Sequence, residues 1–524
     1  MMKRSDEKMT KSISMKEIIQ LLKQYNQFLG FMANNEMNHS KLMTSVFEQI
    51  HFDSRKVVEN TLFICKGINF QSDYLIQAIH AGATGFVMEE KQRKELDMTL
   101  EIPGILVKHS QKSMALIAMH FYDYPQKKLR IIGVTGTKGK TTTSFFIKRI
   151  LDQQNGNKTA LFSTVFTDVG LGQTPAELTT PESLDLYRLM DQAVGKGYQD
   201  LVMEVSSQAY LMQRVYQLEY DLGIFLNISP DHIGENEHVD FADYLKHKLK
   251  IFKHSKAVVI HTDTLALSEI KKTAEESTPN VIWAGEAEGV AGTNYSLAKV
   301  EHQAESVQFQ IVEKKLFEAE QRRLATRFCL NIVGAVNLEN ALVAIAATRY
   351  LGCSEAEIKA GLASAKVPGR MEIIPHKEAM IIVDYAHNAI SLQKLLMWTK
   401  ARYPDGQQIV VFGCPGNKGF SRRQDLGETA AQLADYVILT EDDPGFEDPR
   451  AICEEIGSHL NGFVSYEFIL NREAAITKAL KRVQAGDVLL VVGKGSDAFQ
   501  LRNGVRESYV TDSQVIKDQL QFVL

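Results

Sequence analysis

The residues best equipped for chemistry lie in the run Ile131-Ile-Gly-Val-Thr-Gly-Thr-Lys-Gly-Lys-Thr-Thr142. Gly136, Thr137, Lys138, Gly139, Lys140, Thr141 and Thr142 make a glycine-rich turn between an apolar stretch, Ile131 to Val134, and a helical one, Thr142 to Leu151. Glycines let backbone N–H groups converge on phosphate oxygens, and the helix adds the positive end of its dipole. Lys140 can reach the outer phosphates of a nucleotide, and the Thr141 hydroxyl can ligate Mg²⁺. The full pattern asks for glycine at position 134, where this chain has Val134, so the loop is a variant.

A second set follows other apolar runs. Glu204, toward the end of Leu201-Val-Met-Glu-Val205, is placed to hold Mg²⁺. Ser206 and Ser207 can bond a substrate or cap the next helix. His232, in Asn227-Ile-Ser-Pro-Asp-His-Ile-Gly234, can serve as a ligand or handle a proton. Lys246, Lys248 and Lys250 do not share a helix face, and by pattern alone they read as a solvated charge run. A third set closes the chain. Asp384-Tyr-Ala-His-Asn388 offers polar groups to a nucleotide, and Gly413-Cys-Pro-Gly-Asn-Lys-Gly419 with Arg422 and Arg423 suits an anion. Glu441-Asp-Asp-Pro444 and Gly493-Lys-Gly-Ser-Asp497 bring carboxylates. With no lysine close in sequence to Asp443, they suit a cationic substrate.

The elements that position these groups read as α/β. Near-continuous apolar strands alternate with helices, as in a parallel sheet covered on both faces. Such sheets bind ligands at the carboxyl ends of their strands, where Glu204, Asp384, Gly413 and Gly493 stand. The 524 residues imply about three domains. We expect a small α/β domain at 1–127, a central phosphate-loop domain at 128–365 and a Rossmann-like domain at 366–524, with residues 1–15 loose. Met15 to Phe47 is helical or mixed, and residues 290 to 330 look antiparallel. A net charge of −5 gives no case for nucleic acid. Cys65, Cys329, Cys353, Cys414 and Cys453 are odd in number and lack CxxC spacing, as in a reduced compartment. The N-terminus lacks the apolar centre of a signal peptide, and no apolar run approaches the roughly 20 residues of a membrane helix. A cytoplasmic protein is expected.

Taken in order, GTKGKTT, TTPES, EVSSQAY, NISPDHIG, VPGRME, DYAHN, GCPGNKG, DDPxxEDP and GKGSD make the chain resemble the Mur ligases, ATP-dependent amide-forming enzymes of peptidoglycan synthesis. The resemblance spans about residues 50 to 512. It implies that Lys140 and its loop bind ATP, and that Thr141, Glu204, His232 and Lys248 serve Mg²⁺. It implies a CO₂-derived carbamate on Lys248, which replaces the solvated reading of that lysine. It assigns Asn340, Arg370, Asp384 and His387 to the nucleotide and Ser54 and Arg55 to a uridine end. Thr179, Thr180, Ser206 and Arg214 go to a muramyl-dipeptide, so the implied acceptor is UDP-N-acetylmuramoyl-L-Ala-D-Glu. Met212, where some relatives carry Gln, is a departure. A monomer is expected.

The family's diaminopimelate-adding members carry Asp-Asn-Pro-Arg, where the arginine grips a second carboxylate. Here Asp442-Asp-Pro-Gly445 loses that arginine and gains a negative charge. The change points to L-lysine, with Asp442, Asp443 and Asp497 on its ammonium groups and Lys418 on its α-carboxylate. L-ornithine or meso-diaminopimelate remain alternatives, as do a folylpolyglutamate synthase and, in another class, a non-catalytic nucleotide-binding regulator.

Overall fold

The computed structural model describes residues 11–32, 43–67, 70–95, 102–230, 234, 238–286, 293–303, 306–314, 322–332, 334–417, 421–460 and 462–521. Two compact units emerge, one of Met1–Ala298, Gln310–Thr326 and Asn340–Gly361, the other of Lys299–Phe309, Arg327–Glu339 and Leu362–Leu524.

The first unit begins earlier than the sequence suggests. Residues 11–15, expected to be loose, are built in: β1 (Ile13–Ser14) pairs with β3 (Val46–Phe47), and Ser14 caps α1 (Met15–Gln24). The cap is reciprocal, with the Ser14 hydroxyl on the Glu17 N–H and the Glu17 carboxylate on the Ser14 N–H, so two orphan donors are satisfied. Ile13, Met15 and Leu22 are buried, which explains why this segment stays ordered. Residues 1–10 lie outside the described residues. The mixed stretch that follows adds β2 (Phe28–Met32). A five-stranded sheet then joins β4 (Gln49–His51), β5 (Thr61–Ile64), β6 (Ala83–Glu89) and β7 (Gly104–Val107) in the order β2-β7-β6-β5-β4. Helix α2 (Ser72–His80) makes the crossover from β5 to β6, and α3 (Ser110–Phe121) follows β7.

The larger sheet of this unit starts with β8 (Arg130–Thr135), which leads through the glycine turn into α4 (Lys140–Asn155). After it come β9 (Thr159–Phe162), β10 (Phe166–Asp168), β11 (Gln173–Pro175), α5 (Ser183–Gly195) and β12 (Asp200–Glu204). Then follow α6 (Ser207–Leu211), β13 (Leu222–Phe225), α7 (Phe241–Lys253), β14 (Val258–His261), α8 (Leu267–Ser277) and β15 (Val281–Ala284). The strand order is β11-β10-β9-β12-β8-β13-β14-β15, parallel from β9 onward. The chain visits β9 and β12 on one side of β8 before crossing to β13 on the other, which opens a crevice at the carboxyl end of β8. One continuous hydrophobic core runs from Ile13, Phe47 and Ile64 through Met114 and Leu186 to Phe162, Phe225 and Phe252. The chain continues through β16 (Tyr295–His302), β17 (Val307–Glu313), β18 (Arg322–Arg323), β19 (Phe328–Leu330), α9 (Ala335–Tyr350) and α10 (Glu355–Ser364), segments divided between the two units. β17 pairs antiparallel with β18 at residues 312–313 and with β19 at 307–309, the strand sense expected there.

The second unit holds β20 (Glu372–His376), β21 (Ala379–Asp384), β22 (Gln408–Phe412), β23 (Tyr436–Leu439), β24 (Ser465–Phe468) and β25 (Val488–Val492). Their order is β20-β21-β25-β22-β23-β24, with β20 the antiparallel edge and the rest parallel. Buried residues of α11 (Ala389–Arg402), α12 (Ser421–Leu433) and α13 (Pro449–Ser458) pack on one face. Those of α14 (Arg472–Arg482) and α15 (Asp512–Gln521) pack on the other. A hairpin of β26 (Phe499–Arg502) and β27 (Val505–Ser508) follows the sheet. The α/β expectation holds in both units. No helix among the described residues is long and apolar enough to cross a membrane.

Candidate nucleotide and acceptor site

The turn after β8 is shaped by two left-handed or near-extended glycines, Gly136 (φ 156°) and Gly139 (φ 84°). A Cβ on Gly139 would stand 2.4 Å from Asn340 Oδ1, so α9 can approach the loop only because this residue is glycine. Lys140 Nζ donates to the carbonyls of Gly136 (2.9 Å) and Thr137 (3.1 Å), folded back onto its own turn. Thr141 and Thr142 are buried in the first turn of α4. The loop is tied to the end of β13. Thr137 N–H donates to the Asn227 carbonyl (2.9 Å) and Lys138 N–H to Asn227 Oδ1 (2.9 Å). Asn227 Nδ2 returns a bond to the Lys138 carbonyl (3.1 Å). Thr137 Oγ1 also lies 3.1 Å from the Tyr244 hydroxyl of α7. Asn340 is buried, and its Nδ2 has no hydrogen-bond partner among the described residues. An orphaned buried donor beside a phosphate loop is a cost that a ligand can offset.

Glu204 ends β12, in register with Val134 of β8. Its side chain is fully buried, and no described Lys, Arg or His forms an ion pair with it. Both oxygens are taken by one residue: Thr164 N–H donates to Oε1 (2.9 Å) and Thr164 Oγ1 to Oε2 (3.0 Å). A buried carboxylate without a counter-charge is costly, and a divalent cation is the natural remedy. Glu204 therefore fits a Mg²⁺ ligand. Lys248 is buried on α7, its Nζ 2.8 Å from the Gly136 carbonyl and 4.8 Å from the Tyr244 ring centre. It is no part of a solvated charge run; the structure brings it to the phosphate loop. The N-terminal turn of α7 is set by Asp240, which caps it, and by Asp243. His238 Nδ1 lies 2.7 Å from Asp243 Oδ2, and His247 Nδ1 lies 2.9 Å from the Asp243 carbonyl. The bond from His238 holds Asp243 below the usual carboxylate range, and burial lowers His247. His232 lies outside the described residues.

On the acceptor side the picture is of loops held against strand ends. Thr180 is buried; its Oγ1 donates to the Glu204 carbonyl (2.9 Å) and accepts the Ser206 N–H (3.0 Å). Ser206 caps α6 through the Ala209 N–H (3.1 Å), the capping alternative weighed from sequence. Thr179 Oγ1 is 3.3 Å from Thr164 Oγ1. Arg214 is mostly buried and paired with Glu182 (3.0 Å), which also receives Lys66 at 2.8 Å from the loop after β5. Two cations on one carboxylate leave a net positive charge facing this loop. Ser54 Oγ donates to Gln77 Oε1 (3.1 Å), and the exposed Arg55 guanidinium grips Asp53 through two bonds of 2.8 Å. Asp53 is held low chiefly by that bond.

In the second unit, Asp384 accepts the N–H groups of Met371 (2.7 Å) and Ala386 (2.8 Å), yet burial raises its pKa. Arg370 stacks 4.2 Å over the Tyr385 ring, and His387 packs on the same ring. At the carboxyl ends of β23 and β25, Lys494 is fully buried, 2.8 Å from Asp443 Oδ1 and 3.6 Å from Asp442 Oδ1. Asp443 thus has a lysine partner in space, although none is close in sequence. Its Oδ1 also accepts the Leu501 N–H (3.0 Å), and its own N–H donates to Gln500 (3.0 Å). Burial raises Asp442, and it pushes Asp497 up to about 6. Asp442, Asp443 and Asp497 thus share the field of Lys494, with Arg472 acting also on Asp442 and Arg370 on Asp497. Gly445 has φ 63°, and a Cβ there would stand 2.6 Å from Asn417 Oδ1, so the missing arginine sits at a position built for glycine. Lys418 lies outside the described residues. The sequence reading missed Thr164, Asn227, Lys66 and Lys494, none of which shows its role without tertiary contacts.

A strand, glycine turn and helix, with a buried acid on the adjacent strand, define a phosphate-loop nucleotide-binding protein. The model of the Mur ligase middle domain matches residues 134–348, and that of the Mur ligase glutamate ligase domain matches residues 369–495. The chain is 43% identical over 496 residues to a UDP-N-acetylmuramyl-tripeptide synthetase of Ligilactobacillus salivarius (strain UCC118), covering 92% of this chain and 95% of that one. It is 42% identical over 471 residues to a UDP-N-acetylmuramoyl-L-alanyl-D-glutamate–L-lysine ligase of Enterococcus faecalis (strain ATCC 700802 / V583), covering 88% and 89%. Among solved structures, a UDP-N-acetylmuramoyl-L-alanyl-D-glutamate–2,6-diaminopimelate ligase matches with a TM-score of 0.59 at 25% identity, covering 91% of this chain and 95% of that one. The chain belongs to the Mur ligase family.

Proposed function

We propose that the protein is an ATP-dependent ligase that joins L-lysine to the D-Glu carboxylate of UDP-N-acetylmuramoyl-L-Ala-D-Glu. The observation that carries this reading is the buried carboxylate of Glu204 beside the phosphate loop, which forms no ion pair among the described residues, in a chain 42% identical to a lysine-adding ligase. The work divides among residues 1–127 for the UDP end, 128–365 for ATP and 366–524 for the amino acid, and the protein works as a cytoplasmic monomer.

Gly136 to Thr142 cradle the phosphates, and Lys140 exchanges its two loop carbonyls for phosphate oxygens. Thr141 and Glu204 would hold one Mg²⁺ and His232 a second, with a carbamate on Lys248 helping to organise the metal. When bound, Mg²⁺ supplies charge neutralisation for the transferring phosphoryl group. The carbamate forms when neutral Nζ attacks CO₂ and loses a proton, turning a cation into a carboxylate-like acceptor. Asn340, Arg370, Asp384 and His387 orient the nucleotide. Ser54, Arg55, Thr179, Thr180, Ser206 and Arg214 hold the acceptor so that its D-Glu carboxylate oxygen meets the γ-phosphorus. ADP leaves, and an acyl phosphate remains. The amine of L-lysine then attacks the acyl carbon; phosphate departs, and the amine loses a proton. Bringing the two reactants together removes much of the entropic barrier to that step. A cluster of carboxylates at the strand ends suits a substrate with two amines: Asp442, Asp443 and Asp497 receive the ammonium end and Lys418 the α-carboxylate.

The test is phosphate release from ATP and Mg²⁺ with UDP-N-acetylmuramoyl-L-Ala-D-Glu, offering L-lysine, L-ornithine and meso-diaminopimelate singly. Release with lysine alone is expected. Release with diaminopimelate alone would overturn the amino-acid assignment, and no release with any amine would overturn the ligase.

A further inference from the structure

Glu204 owes its orientation to a residue with no motif around it. β9 runs parallel to β12, with Phe162 beside Met203, so β9 stops one residue short of Glu204. The chain then turns into β10, which returns antiparallel with Thr167 beside Phe162. Ser163 staples this corner: its Oγ accepts the N–H groups of Val165 (3.2 Å) and Phe166 (3.1 Å) and donates to the Phe166 carbonyl (2.8 Å). The corner therefore presents Thr164 to Glu204 in one geometry, with its N–H on Oε1 and its hydroxyl on Oε2. A carboxylate offers about four lone-pair directions. Thr164 occupies one on each oxygen and leaves the others for a ligand. The same hydroxyl lies 3.3 Å from Thr179 Oγ1, in the loop assigned to the acceptor.

We infer that Thr164 is a positioning residue for the metal: it fixes the plane of the Glu204 carboxylate and links it, through one hydroxyl, to the acceptor loop at Thr179. The inference rests on the proposed role of Glu204 as a Mg²⁺ ligand. Partners that orient a ligating carboxylate change metal affinity by about 10- to 100-fold when removed. Thr164→Val keeps the N–H bond and the side-chain shape but deletes the hydroxyl; Thr164→Ser keeps both bonds.

The experiment is Mn²⁺ binding to the full chain with ADP, followed by electron paramagnetic resonance, on the wild type, Thr164→Val, Thr164→Ser and Glu204→Gln. Thermal melting without metal checks that each variant folds. The expected result is a Kd raised about tenfold in Thr164→Val, near wild type in Thr164→Ser, and raised at least as far in Glu204→Gln. If Glu204→Gln weakens Mn²⁺ while Thr164→Val does not, the positioning role is overturned and the metal assignment stands. Equal weakening in the Val and Ser variants would also overturn it, since the hydroxyl would then be irrelevant. If Glu204→Gln binds Mn²⁺ normally, the metal assignment itself fails and the inference falls with it.

Discussion

Replacing Lys494 with methionine should unsettle the second unit more than any other single change at its strand ends. The side chain is fully buried, 2.8 Å from Asp443 and 3.6 Å from Asp442, with Asp497 within its field. Methionine matches its length and removes its charge. Taking away one partner of a buried pair costs about 3–5 kcal/mol, because the remaining charge is left uncompensated. In a unit of this size each kcal/mol moves the melting temperature by about 2–4 °C, so the drop should be about 10 °C. The sign of its pH dependence follows from the aspartates. Burial already raises Asp442, and Lys494 is the largest influence opposing that rise. Without the lysine, the native carboxylates take up protons more readily than the unfolded ones. The variant should therefore lose most stability at pH 8 and recover part of it toward pH 5. Differential scanning calorimetry on wild type, Lys494→Met and Lys494→Arg checks this, with the arginine variant expected to keep most of the stability. A methionine variant that melts within 2 °C of wild type, or whose deficit grows as pH falls, would refute the electrostatic account.

Three further outcomes follow from the same geometry. Asp497 titrates near 6 because burial disfavours its charge, so kcat/KM for L-lysine should fall as pH drops through about 6. Asp497→Asn should flatten that limb of the pH profile. Lys248→Ala should lose phosphate release and regain part of it with added small carboxylic acids, since a diffusible carboxylate can stand where the carbamate would; activity assays with and without acetate test this. Gly445→Arg should destabilise by about 1–2 kcal/mol, because a side chain at φ 63° is strained and meets Asn417, and it should not raise diaminopimelate use. Urea unfolding and amine competition read the two effects separately.

The phosphate loop was legible because strand, turn and helix follow each other without interruption, and each has its own local signal. The observed limits, Arg130–Thr135 and Lys140–Asn155, differ from the expected ones by a few residues at the ends. Glu204 was legible for the same reason, as a carboxylate closing an apolar run. Residues 11–32 and 43–47 were not, since their strands are two to five residues long and carry no periodicity. Ser14-Met-Lys-Glu17, a capping-box pattern, was the one signal that could have marked the start of α1. The pairing of Lys494 with Asp443 could not be read at all. It joins positions 51 apart, brought together because β25 and β23 flank β22. Lys248 could be assigned only through the family resemblance, because burial beside Gly136 leaves no trace in the spacing of charges.

The bonds between Asn227 and the phosphate loop bear on the thermodynamics of nucleotide capture. Asn227 fixes Thr137 and Lys138 through one main-chain and two side-chain bonds while Lys140 still rests on its own loop. Ordering a backbone residue costs about 1–2 kcal/mol of entropy. Here that loss is incurred during folding, so under the proposed role of this loop a nucleotide would leave its backbone in place and displace the contacts of Lys140 with the Gly136 and Thr137 carbonyls. The asparagine that opens the NISPDHIG stretch thus acts before any ligand is present, by holding the glycine turn in one shape.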